Sequence, residues 1–84
     1  MNEIEFSKHA LEQMVIREIP VDIAKAIINK PQQVIKESGK KVYQSIITFE
    51  EGEYLVRLVV NIEKVPNLVI TAYKTSKIDK YYEG

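Results

Sequence analysis

Along this chain the spacing of apolar residues changes once, near Gln33. Before that point they recur at intervals of three and four. Ala10, Leu11, Met14 and Val15 fall on one side of a helix drawn at about 100° per residue, and Ile23, Ala24, Ile27 and Ile28 repeat the pattern in a second segment. Ser7 has the residue type and position to cap the first helix, with Phe6 and Leu11 at the staple positions around it, and the helix runs to about Arg17. Pro20 suits the first turn of the second helix. Pro31 ends it, because the residue before a proline disfavours the αR region. The two helices are expected to form a hairpin.

After Gln33 alternation takes over. The stretches QVIKE, KKVYQSIITF, EYLVRLVVNI and NLVITAYKT are rich in Val, Ile, Tyr and Thr, and Ser38-Gly39, Glu51-Gly52 and Pro66-Asn67 supply reversing residues between them. The economical topology is an antiparallel meander. In the third stretch Tyr54, Val56, Leu58, Val60 and Ile62 form an unbroken apolar face that must meet the helices, leaving Glu53, Leu55, Arg57, Val59 and Asn61 on the other side. In the fourth, Leu68, Ile70 and Ala72 alternate with Val69, Thr71, Tyr73 and Thr75, and the second set is placed on the Arg57 face. The predicted fold is α+β: one domain over residues 1–84, with two N-terminal helices on one face of a four-stranded antiparallel sheet in the order ααββββ. The closing SKIDKYYEG reads as a tail or a short helix.

Composition narrows the chemistry. With one histidine and no cysteine, the chain has no disulfide framework, no thiol chemistry and no ligand set for the usual structural zinc sites, so neither a metal nor a cofactor is expected. Twelve basic residues balance twelve acidic ones, so any basic surface must be local. The opening MNEIEF is acidic without an apolar signal core, and no apolar run approaches the ~20 residues that span a bilayer, which reads as a cytoplasmic protein. Gly-rich phosphate loops, nucleophile elbows and HExxH are absent, which argues against the common hydrolase, kinase and dehydrogenase sites.

Three groups could carry function. His9, Gln13 and Arg17 stack at four-residue spacing on the polar side of the first helix. There the helix dipole favours the neutral imidazole that a general base needs, and nearby backbone N–H groups could hold a phosphate. The alternative is a solvated histidine beside a salt-bridging arginine. Arg57 with Thr71, Tyr73 and Thr75 sets a planar cation among hydroxyls, which suits a phosphate. Ordinary cross-strand pairing on a solvated face accounts for the same residues. In YKTSKIDKYY, Lys74, Lys77 and Lys80 interleave with Tyr73, Tyr81 and Tyr82 in the way of a single-strand nucleic-acid contact; a solvated C-terminus with packed tyrosines is the other reading.

FSKHALEQMVIREI, with its F-S-x-H-A-x-x-x-M-x-x-R-x-I spacing, together with KPQQVI, KVYQ, VRLVV and TAYKTSKIDKY, resembles a small prokaryotic domain-of-unknown-function family of stand-alone domains. The likeness runs over nearly the whole chain. That family is in turn similar to the barnase-like, EndoU-like, colicin-type and RelE-type ribonucleases, and in layout to the BrnT toxins of toxin–antitoxin pairs.

The resemblance implies a metal-independent ribonuclease: a base takes the 2′-hydroxyl proton, that oxygen attacks the adjacent phosphate, an acid protonates the leaving 5′-oxygen, and cationic donors hold the phosphorane. Carried onto this sequence, it marks His9, Arg17, Tyr73, Lys74, Thr75, Ser76 and Lys77. Arg57 joins them from strand parity. The expected catalytic set is His9, Arg17, Arg57, Tyr73, Lys74 and Ser76, with Gln13, Thr71, Thr75, Lys77 and Lys80 contacting RNA. His9 and Arg17 are expected at the rim of a cleft shared with Tyr73, Lys74 and Ser76. The chain is neutral where such toxins are often basic, and it has one strand arginine where RelE-type sites gather several basic groups. The competing reading is a non-catalytic RNA- or protein-binding module of the same fold, with an antitoxin-like partner on a free strand edge or on the Arg57 face, burying Leu55, Val59 and Val69.

Overall fold

The structure, a computed structural model, describes residues 4–83. Of the acidic opening MNEIEF, Met1 to Glu3 therefore lie outside the described residues, as does Gly84. In chain order the elements are β1 (Ile4–Phe6), α1 (Lys8–Ile16), α2 (Val21–Asn29), β2 (Gln33–Glu37), β3 (Lys40–Phe49), β4 (Gly52–Asn61), β5 (Asn67–Thr75) and α3 (Ile78–Tyr81).

The helical hairpin forms as its spacing and caps dictate. Ser7 accepts the Ala10 amide on its hydroxyl at 3.0 Å, satisfying one of the free N–H groups of the first turn. Pro20 stands at the N-cap of α2, and its carbonyl accepts from Ala24 at 3.1 Å. Between the helices the chain turns on Glu18, whose φ of 56° is left-handed. The Ile19 amide donates back to the Met14 carbonyl at 2.8 Å and the Glu18 amide to Val15 at 3.2 Å, the pair of bonds that defines a Schellman ending. Ile19 and Met14 are both buried, which supplies the hydrophobic contact that accompanies it.

The sheet has five strands rather than the expected four, in the order β1-β5-β4-β3-β2. β2 to β5 make the predicted antiparallel meander. The added strand is β1, which runs parallel to β5 with Ile4 opposite Asn67 and Phe6 opposite Val69. Its three residues satisfy β5's outer edge where the helices begin, and the Ser7 amide continues the ladder to the Val69 carbonyl at 2.9 Å. The short α3 follows β5.

The core lies between one sheet face and the hairpin: Ala10, Met14, Ile19, Ala24 and Ile27 pack on Val56, Leu58, Val60, Val69 and Ala72. Two expectations change. Leu11 and Val15, placed on the core stripe by their spacing, are 40 % and 79 % exposed, because α1 approaches β5 closely through the small Ala10 and the long Met14. Val69, placed beside Arg57, is buried on the helix side. A bulge between Val59 and Val60 puts Val60 opposite Val69 while Val59 stays opposite Thr71, so Ile70 is the extra residue and the parity of β5 flips there. Leu68 accordingly moves to the face where alternation had put Val69.

Candidate functional site

The Arg57 face of the sheet is not covered by the helical hairpin, yet its centre is closed. Strand register aligns Gln33 with Gln44, Gln44 with Arg57 and Arg57 with Tyr73, so one polar row crosses β2, β3, β4 and β5 at right angles to the strands. Gln44 is fully buried and Arg57 is 8 % exposed. A polar group at such a place must be hydrogen-bonded or it costs stability, and each one is.

The row is wired as a chain. The Arg57 Nε donates to Gln44 Oε1 at 2.8 Å, and Nη1 donates to the Tyr73 hydroxyl at 2.6 Å. Gln44 turns its amide nitrogen to Gln33 Oε1 at 2.7 Å and to the Tyr81 main-chain carbonyl at 3.2 Å. Gln33 completes the line by accepting from the Glu83 amide at 3.0 Å while donating to the Glu83 carbonyl. The Tyr81 ring lies over the guanidinium, its centroid 4.5 Å from Cζ, and the Tyr73 ring is 5.6 Å away. Thus a permanent cation is held in one orientation by an amide, a phenol and an aromatic face, all neutral. Its Nη2 donates to no partner among the described residues. A fixed guanidinium beside a hydroxyl is equipped to hold an oxyanion.

Tyr73 and Lys74, expected at one rim, lie on opposite faces of β5. Arg57 and Tyr73 meet at the row, with Thr71 and Thr75 on the same face one pair to either side of Tyr73 along β5. Lys74 stands opposite Val56, on the helix side, where its Nζ sits 4.1 Å from the Phe49 ring centroid and 5.0 Å from that of Tyr54. Arg17, exposed at the C-cap of α1, donates from Nη1 to the Ala72 carbonyl at 2.8 Å and pins the helix end to β5. His9 is exposed in the first turn of α1, beside the Val69 end of β5. From Val69 the strand continues for roughly 15 Å before Lys74, and no hydrogen bond among the described residues joins His9 to Tyr73, Lys74 or Ser76. Gln13 is half-buried on α1.

Ser76, from the expected catalytic set, and Lys77, from the RNA-contact set, are exposed and line a shallow depression with Ile78, Asp79 and Lys80. Lys77 donates its amide to the Thr75 hydroxyl at 3.0 Å, and Lys80 approaches the Tyr81 ring with its Nζ 5.5 Å from the centroid. Leu55, expected to need a partner, is fully buried within this one chain, and Val59 is half-buried. Gln33, Gln44 and the Tyr81 carbonyl were not among the sequence candidates. Gln44 did carry a signal, a polar residue in the middle of the apolar run KVYQSIITF directly across from Arg57.

No group of three or more metal-binding side chains occurs among the described residues, and none of their helices is long and apolar enough to cross a membrane. No curated protein and no solved structure gives a significant match to the chain. A family match does exist, over residues 6–74, spanning the helical hairpin and the meander, and by it the chain belongs to the family described as a domain of unknown function (DUF4258).

Proposed function

We propose that this domain acts on RNA at the Arg57 row, as a metal-independent ribonuclease of the toxin type. The observation that carries the reading is the guanidinium of Arg57, oriented by Gln44 and Tyr73 and with Nη2 donating to none of the described residues. In this reading Arg57 holds the scissile phosphate and stabilises the added charge of the phosphorane. The 2′-hydroxyl loses its proton to solvent base and its oxygen bonds to phosphorus. The bond from phosphorus to the 5′-oxygen breaks, and that oxygen takes its proton from the Tyr73 hydroxyl, which water then restores. The product ends are a 2′,3′-cyclic phosphate and a 5′-hydroxyl.

The second reading, binding of RNA without cleavage, is favoured by one specific feature: among the described residues no imidazole or carboxylate joins Arg57 and Tyr73 in the row. Incubating a mixed-sequence RNA with the protein in chelator separates the two. Cleavage that leaves cyclic-phosphate ends, and that falls about 10²- to 10⁴-fold in Tyr73→Phe, supports the enzyme. Binding with intact RNA, lost in Arg57→Ala, supports the module. A further arm, His9→Ala, decides whether the first helix supplies the base: a comparable loss of cleavage would place His9 in the reaction. Absence of both binding and cleavage overturns both readings.

A further inference from the structure

The polar row lies within residues 6–74, but what covers it does not. Gln33, Gln44, Arg57 and Tyr73 all fall inside the family match, whereas Tyr81 and Glu83 lie beyond it. The covering segment is lightly built. α3 has four residues, none of them buried, and its N-cap Lys77 makes no side-chain capping bond. Such a helix has little stability of its own and depends on what it docks against.

Its contacts with the row are of a particular kind. Two main-chain carbonyl oxygens, of Tyr81 and Glu83, accept from the side-chain amides of Gln44 and Gln33, and the Tyr81 ring centroid lies 4.5 Å from the Arg57 Cζ. Oxygen acceptors on the amides and a flat ring on the arginine are also what a nucleotide brings, as phosphoryl oxygens and a base. Near the same ring stands Lys80, a second cation that gains from an anion placed there.

We infer that the segment Lys77–Glu83 is a strap that occupies the RNA site of this chain in place of ligand, and that RNA binds by displacing it. The inference rests on the reading of the Arg57 row as an RNA site and adds its regulation. With the strap docked, Arg57 offers only its outer edge. With the strap released, its plane and both glutamine amides become available, and the segment swings from the Thr75–Lys77 turn.

The test uses the full chain and a 2′-O-methyl oligonucleotide of about 8 nucleotides, which binds but is not cut. Its affinity is measured by fluorescence anisotropy for the wild type and for Tyr81→Ala, which weakens the docked strap. Amide exchange at Tyr82 and Glu83 is followed with and without the oligonucleotide, because the first of these amides donates to Ile78 and the second to Gln33 only while the strap is folded and docked. Displacement predicts about three- to tenfold tighter binding by Tyr81→Ala and faster exchange of both amides when RNA binds. Weaker binding by Tyr81→Ala with exchange still slow would make Tyr81 a fixed stacking platform and overturn the strap. Equal affinity with unchanged exchange would overturn it too, leaving the RNA reading in place. Binding by neither protein overturns both.

Discussion

Gln44 and Arg57 stand directly opposite each other on β3 and β4, and the buried amide oxygen of the first accepts the Nε proton of the second at 2.8 Å. This one bond fixes the rotation of the guanidinium, because Nη1 must then meet the Tyr73 hydroxyl on the next strand. The cation is aimed by the sheet itself rather than by a loop, so its position is as rigid as the strands.

The first prediction follows from that aim. Arg57→Lys keeps the charge but replaces a planar fork with a point donor that cannot serve Gln44 and Tyr73 at once. If the row holds phosphate, the oligonucleotide affinity of Arg57→Lys is expected to fall about tenfold, measured by anisotropy at fixed salt. Full affinity in the lysine variant would mean that charge alone suffices and that the orientation set by Gln44 has no part in binding.

Gln44→Leu preserves volume and removes the hub of the row. The Arg57 Nε, the Gln33 Oε1 and the Tyr81 carbonyl each lose a partner. Unsatisfied buried groups of this kind cost about 1–3 kcal/mol, which urea denaturation will resolve. A melt equal to the wild type would show that the row relaxes to water without cost.

Glu18 is the third case, and here the expected change is a gain. It holds the left-handed position of the Schellman ending, where a side chain costs about 1–2 kcal/mol and glycine costs nothing sterically. After subtracting the unfolded-state entropy of glycine, Glu18→Gly is expected to stabilise by about 0.5–1 kcal/mol, raising Tm by roughly 2–8 °C in thermal unfolding. A lower Tm would indicate that the Glu18 side chain makes a contribution beyond its backbone conformation.

The tight reversal between β2 and β3 has the opposite sign. Gly39 has φ of 71°, and a Cβ there would come within 2.9 Å of the Glu63 carboxyl carbon. Gly39→Ala is therefore expected to lower stability by about 1–2 kcal/mol. Part of that loss should return in the double variant with Glu63→Ala, which removes the obstruction but not the strained φ; a double-mutant cycle reads the difference.

Much of this geometry was legible in the residues. The change from helical spacing to alternation near Gln33 marked the boundary between hairpin and sheet, and β2, β3 and β5 begin and end where their alternation does. Arg57 and Tyr73 could be placed on one face because nothing interrupts parity between Val59 and Leu55. Val69 could not, since a bulge is one extra residue with no composition of its own. β1 escaped notice because Ile4, Glu5 and Phe6 give a single period of alternation, too little to separate from a tail. Leu11 and Val15 misled because spacing reports which side of a helix is apolar, not how much of that side the neighbouring strand covers. The docking of the C-terminal segment was hidden for a different reason. It is held largely through main-chain groups of Tyr81 and Glu83, and main-chain groups are the same whatever the side chain.

The pairing of β1 with β5 also sets an order of events. Ile4 finds its sheet partner only at Asn67 and Phe6 only at Val69, with every other element except the short α3 between them in the chain. On a ribosome adding about 5–20 residues per second, the first strand is made seconds before the last exists, while the local hairpins of β2 to β4 can already close. The first of these elements to be synthesised is thus among the last to find its place, and it does so as the edge strand that seals the outer side of β5.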